Sequence, residues 1–207
     1  MIGTLPFQEG QVHRVDLLEH YGLELLQKYS PEQINTKFKD YYKFMFVRNP
    51  YDRLLSAFKN KIEEMCEPPL YEMVIKRMKE TIWKNEHRGN AAVTFLEFLR
   101  YIVYSLNHGE LLDLHFAPYK NIFNPCSLKF DFIGKVETLS RDAPVILKHL
   151  FDENVEMSQE NKSNGGKSGK KYYSTIPDKI IRKIHNLYKD DFEMYGYSNP
   201  DYINFML

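Results

Sequence analysis

Residues 42–61, YKFMFVRNPYDRLLSAFKNK, constrain the chain more than any other stretch. The bulky apolar run 43–47 stops at Arg48, Asn49 and Pro50, the pattern of a buried strand that feeds a turn. A helix is predicted to follow. Asn49 is a good N-cap, and Pro50 suits the first helical position because its missing N–H costs nothing there and its φ is already helical. Leu54, Leu55 and Phe58 give that helix an apolar face, which leaves Arg48 at the carboxyl end of the strand beside the helix amino terminus. Ligands bind at that place in open α/β sheets, and a helix amino terminus favours anions. With the Ser56 hydroxyl two turns on, Arg48 suggests a phosphate site. Arg48 pairing with a carboxylate such as Asp52, with Ser56 only filling space, fits the same residues.

Residues 130–134 read as a second buried strand, ended by Gly134, with a helix over 140–150. The fold class expected is therefore α/β, a parallel sheet flanked by helices, with 43–47 and 130–134 as central strands. Leu17, Leu18, Tyr21, Leu25 and Leu26 predict a helix over 15–29, and Ser30-Pro31-Glu32 opens another. A polar helix is expected over 70–84, with Lys76, Arg77, Lys79 and Lys84 forming either a solvated face or one that meets an anionic glycan; 87–91 reads as a loop. Thr94 and Glu97 form a capping-box pattern with Val93 and Phe98 placed as a staple, so a helix starts near Phe95 and ends before Gly109. Residues 110–129 are mostly irregular, which a compact domain tolerates chiefly where the segment has a function. Residues 154–171 hold almost no apolar side chains and read as a flexible basic loop. A last helix over 177–195 stops at Gly196.

Charge narrows the function. The 28 basic residues balance 28 acidic ones, which disfavours wholesale nucleic-acid binding while leaving room for a local basic pocket. The two cysteines, Cys66 and Cys126, have no metal-ligand spacing, so no metal is expected, although they could form one bridge. No run approaches 18 apolar residues, and MIGTLPFQEG lacks the order of a signal peptide, so no membrane anchor is expected in these residues. His115, in the irregular segment and beside Asp113, is the best candidate base for an alcohol; it could instead cap a turn or bind substrate without proton transfer. Gly165-Gly166-Lys167-Ser168 is not a Walker loop, because the first glycine of that motif would fall at Asn161. It reads either as a basic lid over an anion, with Lys167, Ser168 and Lys170 as contacts, or as a plain solvated linker. Lys135 and Glu137 either position substrate or form a structural pair, and Asn161-Lys162-Ser163 is a glycosylation sequon.

Arg-x-Pro-x-x-Arg-Leu-x-Ser-Ala-Phe at 48–58 resembles the segment that binds the 3′-phosphate of PAPS in Golgi carbohydrate sulfotransferases, the group containing the chondroitin and dermatan 4-O-sulfotransferases. VTFLEF at 93–98, HFAP at 115–118, Pro125-Cys126, FDFIGKVET at 130–138 and DFEMYGY at 191–197 resemble further blocks of that family in the same order, so the likeness runs from about residue 41 to residue 197. The resemblance implies a P-loop-like sulfotransferase fold, one partial domain over 1–207, and transfer of sulfate from PAPS to a glycan hydroxyl without a metal. It implies that Arg48 and Ser56 hold the 3′-phosphate, that His115 is the catalytic base, and that the basic segment carrying Lys167, Ser168 and Lys170 covers the nucleotide. PAPS or PAP and a glycan acceptor are the implied partners, on the lumenal side of the Golgi membrane. Members usually carry a second cysteine three residues before the Pro-Cys cysteine, where this chain has Phe123. They also carry, ahead of the position of residue 1, a Lys-x-x-x-Thr-x-Trp-Lys-like loop that grips the 5′-phosphosulfate. Nothing here matches it, so the expectation is an amino-terminally truncated part of a longer enzyme or a reduced homologue. Two rivals stand beside the enzyme: a non-catalytic PAP- or glycan-binding remnant of the family, and a purely helical interaction module.

Overall fold

The computed structural model describes residues 24–84, 91–123, 125, 128–152 and 165–203, with the backbone alone over 165–168. The expected loop at 87–91, apart from Ala91, the sequon, Cys126 and residues 15–23 of the first predicted helix lie outside the described residues. The chain divides into two compact units, residues 1–43 and 44–207.

In the first unit residues 26–28 form a single 3-10 turn instead of the end of a long helix. Helix α1, Pro31–Asp40, starts as its sequence dictates: Ser30 and Gln33 cap each other reciprocally and Pro31 takes the first position. None of its residues is buried.

The second unit is built on strands β1, Phe44–Val47, and β2, Phe132–Lys135, which pair in parallel with Phe44 opposite Phe132 and Val47 opposite Lys135. These are the only two strands among the described residues. Helix α2, Pro50–Ala57, follows β1 and runs on through a π-helical turn, Phe58–Glu63. Then come α3, Pro68–Glu80; α4, Phe95–Asn107; the short α5, Tyr119–Phe123; and, after β2, α6, Leu139–Phe151. Three last helices close the unit: α7, Gly165–Tyr173; α8, Asp178–Leu187; and α9, Lys189–Met194. The core gathers Tyr51, Leu54, Phe58, Phe98, Ile102, Phe116, Ile184 and Tyr188 from α2 and the π-helical turn after it, α4, the segment before α5, and α8 with the residue that follows it.

Local signals held where local chemistry decides. Glu97 N–H donates to Thr94 Oγ1 and Thr94 N–H to Glu97 Oε2 at the predicted start of α4, and Gly196, at φ 59°, stops α9. Helix α3 ends at Glu80, short of residue 84, where the Thr81 hydroxyl turns back to the Arg77 carbonyl at 2.7 Å. Arg77 is not merely solvated, for it pairs with Glu110 and Glu80.

Three expectations are corrected. Gly134 does not end its strand, which continues to Lys135; its lack of a side chain makes room for a neighbour. A Cβ there would lie 2.3 Å from the Phe46 ring, which is itself held edge-on by Phe44 and Phe132. Gly134→Ala is accordingly expected to cost about 1–3 kcal/mol in urea denaturation, the usual result of overpacking a fixed ring. The helix predicted over 177–195 breaks at Tyr188, whose buried hydroxyl donates to the Phe116 carbonyl and fixes the chain there. The loop predicted over 154–171 is helical from Gly165 onward. That helix is held by contacts its polar composition hides: Tyr202 packs against Gly169, where a Cβ would meet its ring at 2.5 Å, and buried Tyr173 donates to the Tyr51 carbonyl at 2.8 Å.

His185 on α8 is buried against Phe192, with ring centroids 4.5 Å apart, and faces Tyr51 at 6.5 Å. Burial lowers its pKa below the ordinary 6.5, with Glu193 opposing and Lys189 adding to the shift. The unfolded chain thus binds this proton more readily than the folded one. The His185 contribution is complete above about pH 6.5 and is lost as pH falls from there through the lowered pKa of the folded state. His185→Gln should flatten the fall in thermal stability between pH 7 and pH 5.

Candidate active site

Arg48 and Asn49 form the turn between β1 and α2, and side chains distant in sequence hold it. The Arg48 N–H donates to the Tyr119 hydroxyl at 3.1 Å and the Asn49 N–H to Glu137 Oε1 at 2.7 Å. Asn49 Oδ1 accepts the Tyr51 N–H at 3.0 Å, the expected N-cap, while its Nδ2 donates to the Ser198 carbonyl at 3.0 Å. The Tyr197 hydroxyl lies 3.0 Å from the Val47 carbonyl and 2.9 Å from Glu137 Oε2, one hydrogen between two acceptors. The Val47 carbonyl and the Arg48 and Asn49 N–H groups are thereby held, and Arg48 itself is partly buried.

Glu137 is thus a brace of the turn. Lys135 is a second brace, its ammonium 3.2 Å from the Gly196 carbonyl and 4.4 Å above the Tyr197 ring. Both contact Tyr197 of the carboxyl-terminal segment.

Arg48 acts electrostatically on two hydroxyls. Burial pushes the Tyr197 and Tyr202 pKa values up, neighbouring Glu137 and Asp52 add to this, and the Arg48 charge works against it at both. Tyr202 donates to Asp52 Oδ1 at 2.6 Å on the first turn of α2, and it lines a cavity of about 490 Å³ with Lys170, Tyr173, Asp178 and Asp201. The Arg48 charge thus bears on a tyrosine whose cavity Lys170 also lines. Ser56, partly buried, lies on α2 itself. Lys167 and Ser168 lie on α7, and their side chains are outside the described residues.

His115 sits where Phe116 and Ala117 turn back onto the Asp113 carbonyl. Phe116 is fully buried against Phe98, so the turn is anchored while the His115 side chain stays 30% exposed. Its Nδ1 is 2.6 Å from Asp113 Oδ1. Arg53 ties this turn to α2. Its Nη2 donates to the Leu114 carbonyl at 2.6 Å, and its guanidinium lies 4.1 Å over the Tyr119 ring, the same tyrosine that accepts the Arg48 N–H. Arg48, Ser56 and His115 are thus joined through one helix. Lys170 lines the same cavity as Tyr202, the partner of Asp52 on α2.

Sequence reasoning missed Tyr119, Arg53 and Tyr197 as parts of this site. Arg53 lies inside the quoted motif, and Tyr119 directly follows His-Phe-Ala-Pro, so position was the available signal. Among the described residues no group of three or more His, Cys, Asp and Glu could hold a metal, and no helix is long and apolar enough to cross a membrane. Cys66 is a free, exposed thiol.

Comparison with known proteins gives a consistent picture. Residues 6–198 match the family described as "Sulfotransferase family". The chain is 32% identical over 195 residues to carbohydrate sulfotransferase 14 of Danio rerio, covering 91% of this chain and 51% of that protein. It is 29% identical over 199 residues to carbohydrate sulfotransferase 10 of Xenopus laevis (89% and 55%) and 28% identical over 197 residues to carbohydrate sulfotransferase 11 of Rattus norvegicus (88% and 54%). The chain spans about half the length of the curated relatives it matches. No solved structure matches it.

Proposed function

The chain belongs to the sulfotransferase family, and from that premise we propose that it carries the 3′-phosphate site and the base of a PAPS-dependent carbohydrate sulfotransferase acting on a glycan hydroxyl. The observation that carries this reading is the braced turn: a guanidinium at the carboxyl end of β1 and the amino end of α2, with His115 tied to the same helix by Arg53. That donor set fits a phosphate. A planar cation can form a paired, charge-assisted contact, the helix terminus adds dipole, and Ser56 offers one hydroxyl.

In the proposed step the acceptor hydroxyl oxygen bonds to sulfur as the bond from sulfur to the bridging phosphate oxygen breaks. The electron pair leaves with PAP, and the hydroxyl proton passes to the His115 ring. Arg48 and Ser56 hold the 3′-phosphate, and Lys167, Ser168 and Lys170 on α7 make further nucleotide contacts. The exposure of Lys170 beside the cavity wall at Tyr202 supports that last assignment. The P-loop-like form of the sheet and a place on the lumenal side of the Golgi membrane belong to the same reading.

Transfer of radiolabelled sulfate from PAPS to desulfated chondroitin or dermatan tests it, run with this chain and with one extended upstream. Labelled glycan is the expected result. PAP binding without transfer in either would leave a nucleotide-binding remnant, and no PAP binding in either would remove the nucleotide reading.

A further inference from the structure

We propose that Asp113 holds His115 in the tautomer that carries its proton on Nδ1, so that Nε2 is the basic nitrogen that receives the acceptor's proton; this positioning role rests on the reading of His115 as the base. Asp113 Oδ1 is 2.6 Å from His115 Nδ1 and also accepts the His115 backbone N–H at 2.9 Å. An ionised carboxylate can only accept hydrogen bonds, so the nitrogen facing it must carry hydrogen, and a neutral ring then keeps its lone pair at the other nitrogen. Asp113 is suited to stay ionised. Burial raises its pKa, but the hydrogen bonds from the His115 ring and backbone outweigh that and hold it below the usual carboxylate range, and the Lys61 charge adds to them. Lys61 is itself buried and is held by Glu67 at 3.1 Å.

Apart from the His115 N–H that Asp113 accepts, the backbone around His115 is fixed by groups that a change at Asp113 leaves in place. Arg53 holds the Leu114 carbonyl, Tyr188 holds the Phe116 carbonyl, and the Phe116 ring is in the core. Loss of the carboxylate should therefore release the ring without releasing the loop.

The test is nitrogen NMR of the full chain labelled with ¹⁵N-histidine, at about pH 8.5, above the ordinary imidazole pKa of about 6.5. His115, assigned by comparison with His115→Gln, is expected to show a pyrrole-type Nδ1 and a pyridine-type Nε2. In Asp113→Ala that pattern should give way to a tautomer mixture, and Asp113→Glu should restore part of it. In the transfer assay Asp113→Ala is expected to lower kcat roughly 10- to 100-fold, inside the range of about 10²–10⁴ that a general base contributes, with the KM for PAPS unchanged. A wild-type His115 already protonated on Nε2, or a pattern unchanged in Asp113→Ala, would overturn the assignment. Absence of transfer by the wild type would count against His115 as a base and would leave the tautomer result standing.

Discussion

Replacing His115 by alanine is expected to reduce sulfate transfer by about 10²–10⁴-fold, the range that general base catalysis contributes, and to leave PAP affinity unchanged. A sugar hydroxyl is a poor nucleophile while it keeps its proton, and His115 is a partly exposed imidazole on the turn that Arg53 ties to α2. The fold should survive the change. The anchoring groups of this turn are the buried Phe116 ring, the Tyr188 hydroxyl and the Arg53 guanidinium, none of which is altered, so the stability change should be about 1 kcal/mol, from the lost hydrogen bond to Asp113. Parallel transfer assays and PAP calorimetry on the same preparation check both halves of the expectation. Weakened PAP binding in His115→Ala would place the residue in the nucleotide site and remove it as the base.

Arg48→Ala should act in the opposite way, lowering PAP affinity by about 2–4 kcal/mol, or roughly 30- to 700-fold, because a bound phosphate loses a charge-assisted partner in a partly dry site. Arg48→Lys should recover only part of that, since an ammonium is a point charge and cannot reproduce the planar fork. The turn itself should hold. It is fixed through the Arg48 N–H, both ends of the Asn49 side chain, Glu137 and Tyr197, all of which the substitution leaves in place.

What the sequence showed of this site depended on range. The strand, the turn and the start of α2 were readable because Asn49 and Pro50 act on the residues next to them, and the Thr94–Glu97 cap for the same reason. The braces were not readable. Tyr119, Glu137 and Tyr197 reach the turn from 71 to 150 residues away, and nothing in a local window marks a tyrosine as the partner of a distant carbonyl. Helix α7 was missed for a related reason: its glycines and lysines argue for a loop, and its order comes from Tyr202 against Gly169 and Tyr173 beneath Tyr51. The break at Tyr188 likewise follows from one hydroxyl bound to a carbonyl in another segment.

The central claim is that the turn at Arg48 recognises a 3′-phosphate, and comparative calorimetry of PAP and adenosine 5′-monophosphate tests it most directly. The two ligands share the adenosine and the 5′-phosphate and differ by the 3′-phosphate alone. The wild-type chain is expected to prefer PAP, and Arg48→Ala to lose most of that preference while binding adenosine 5′-monophosphate as before. If Arg48→Ala, folded by circular dichroism, kept the wild-type preference for PAP, the phosphate would lie elsewhere and the assignment of this turn would be wrong.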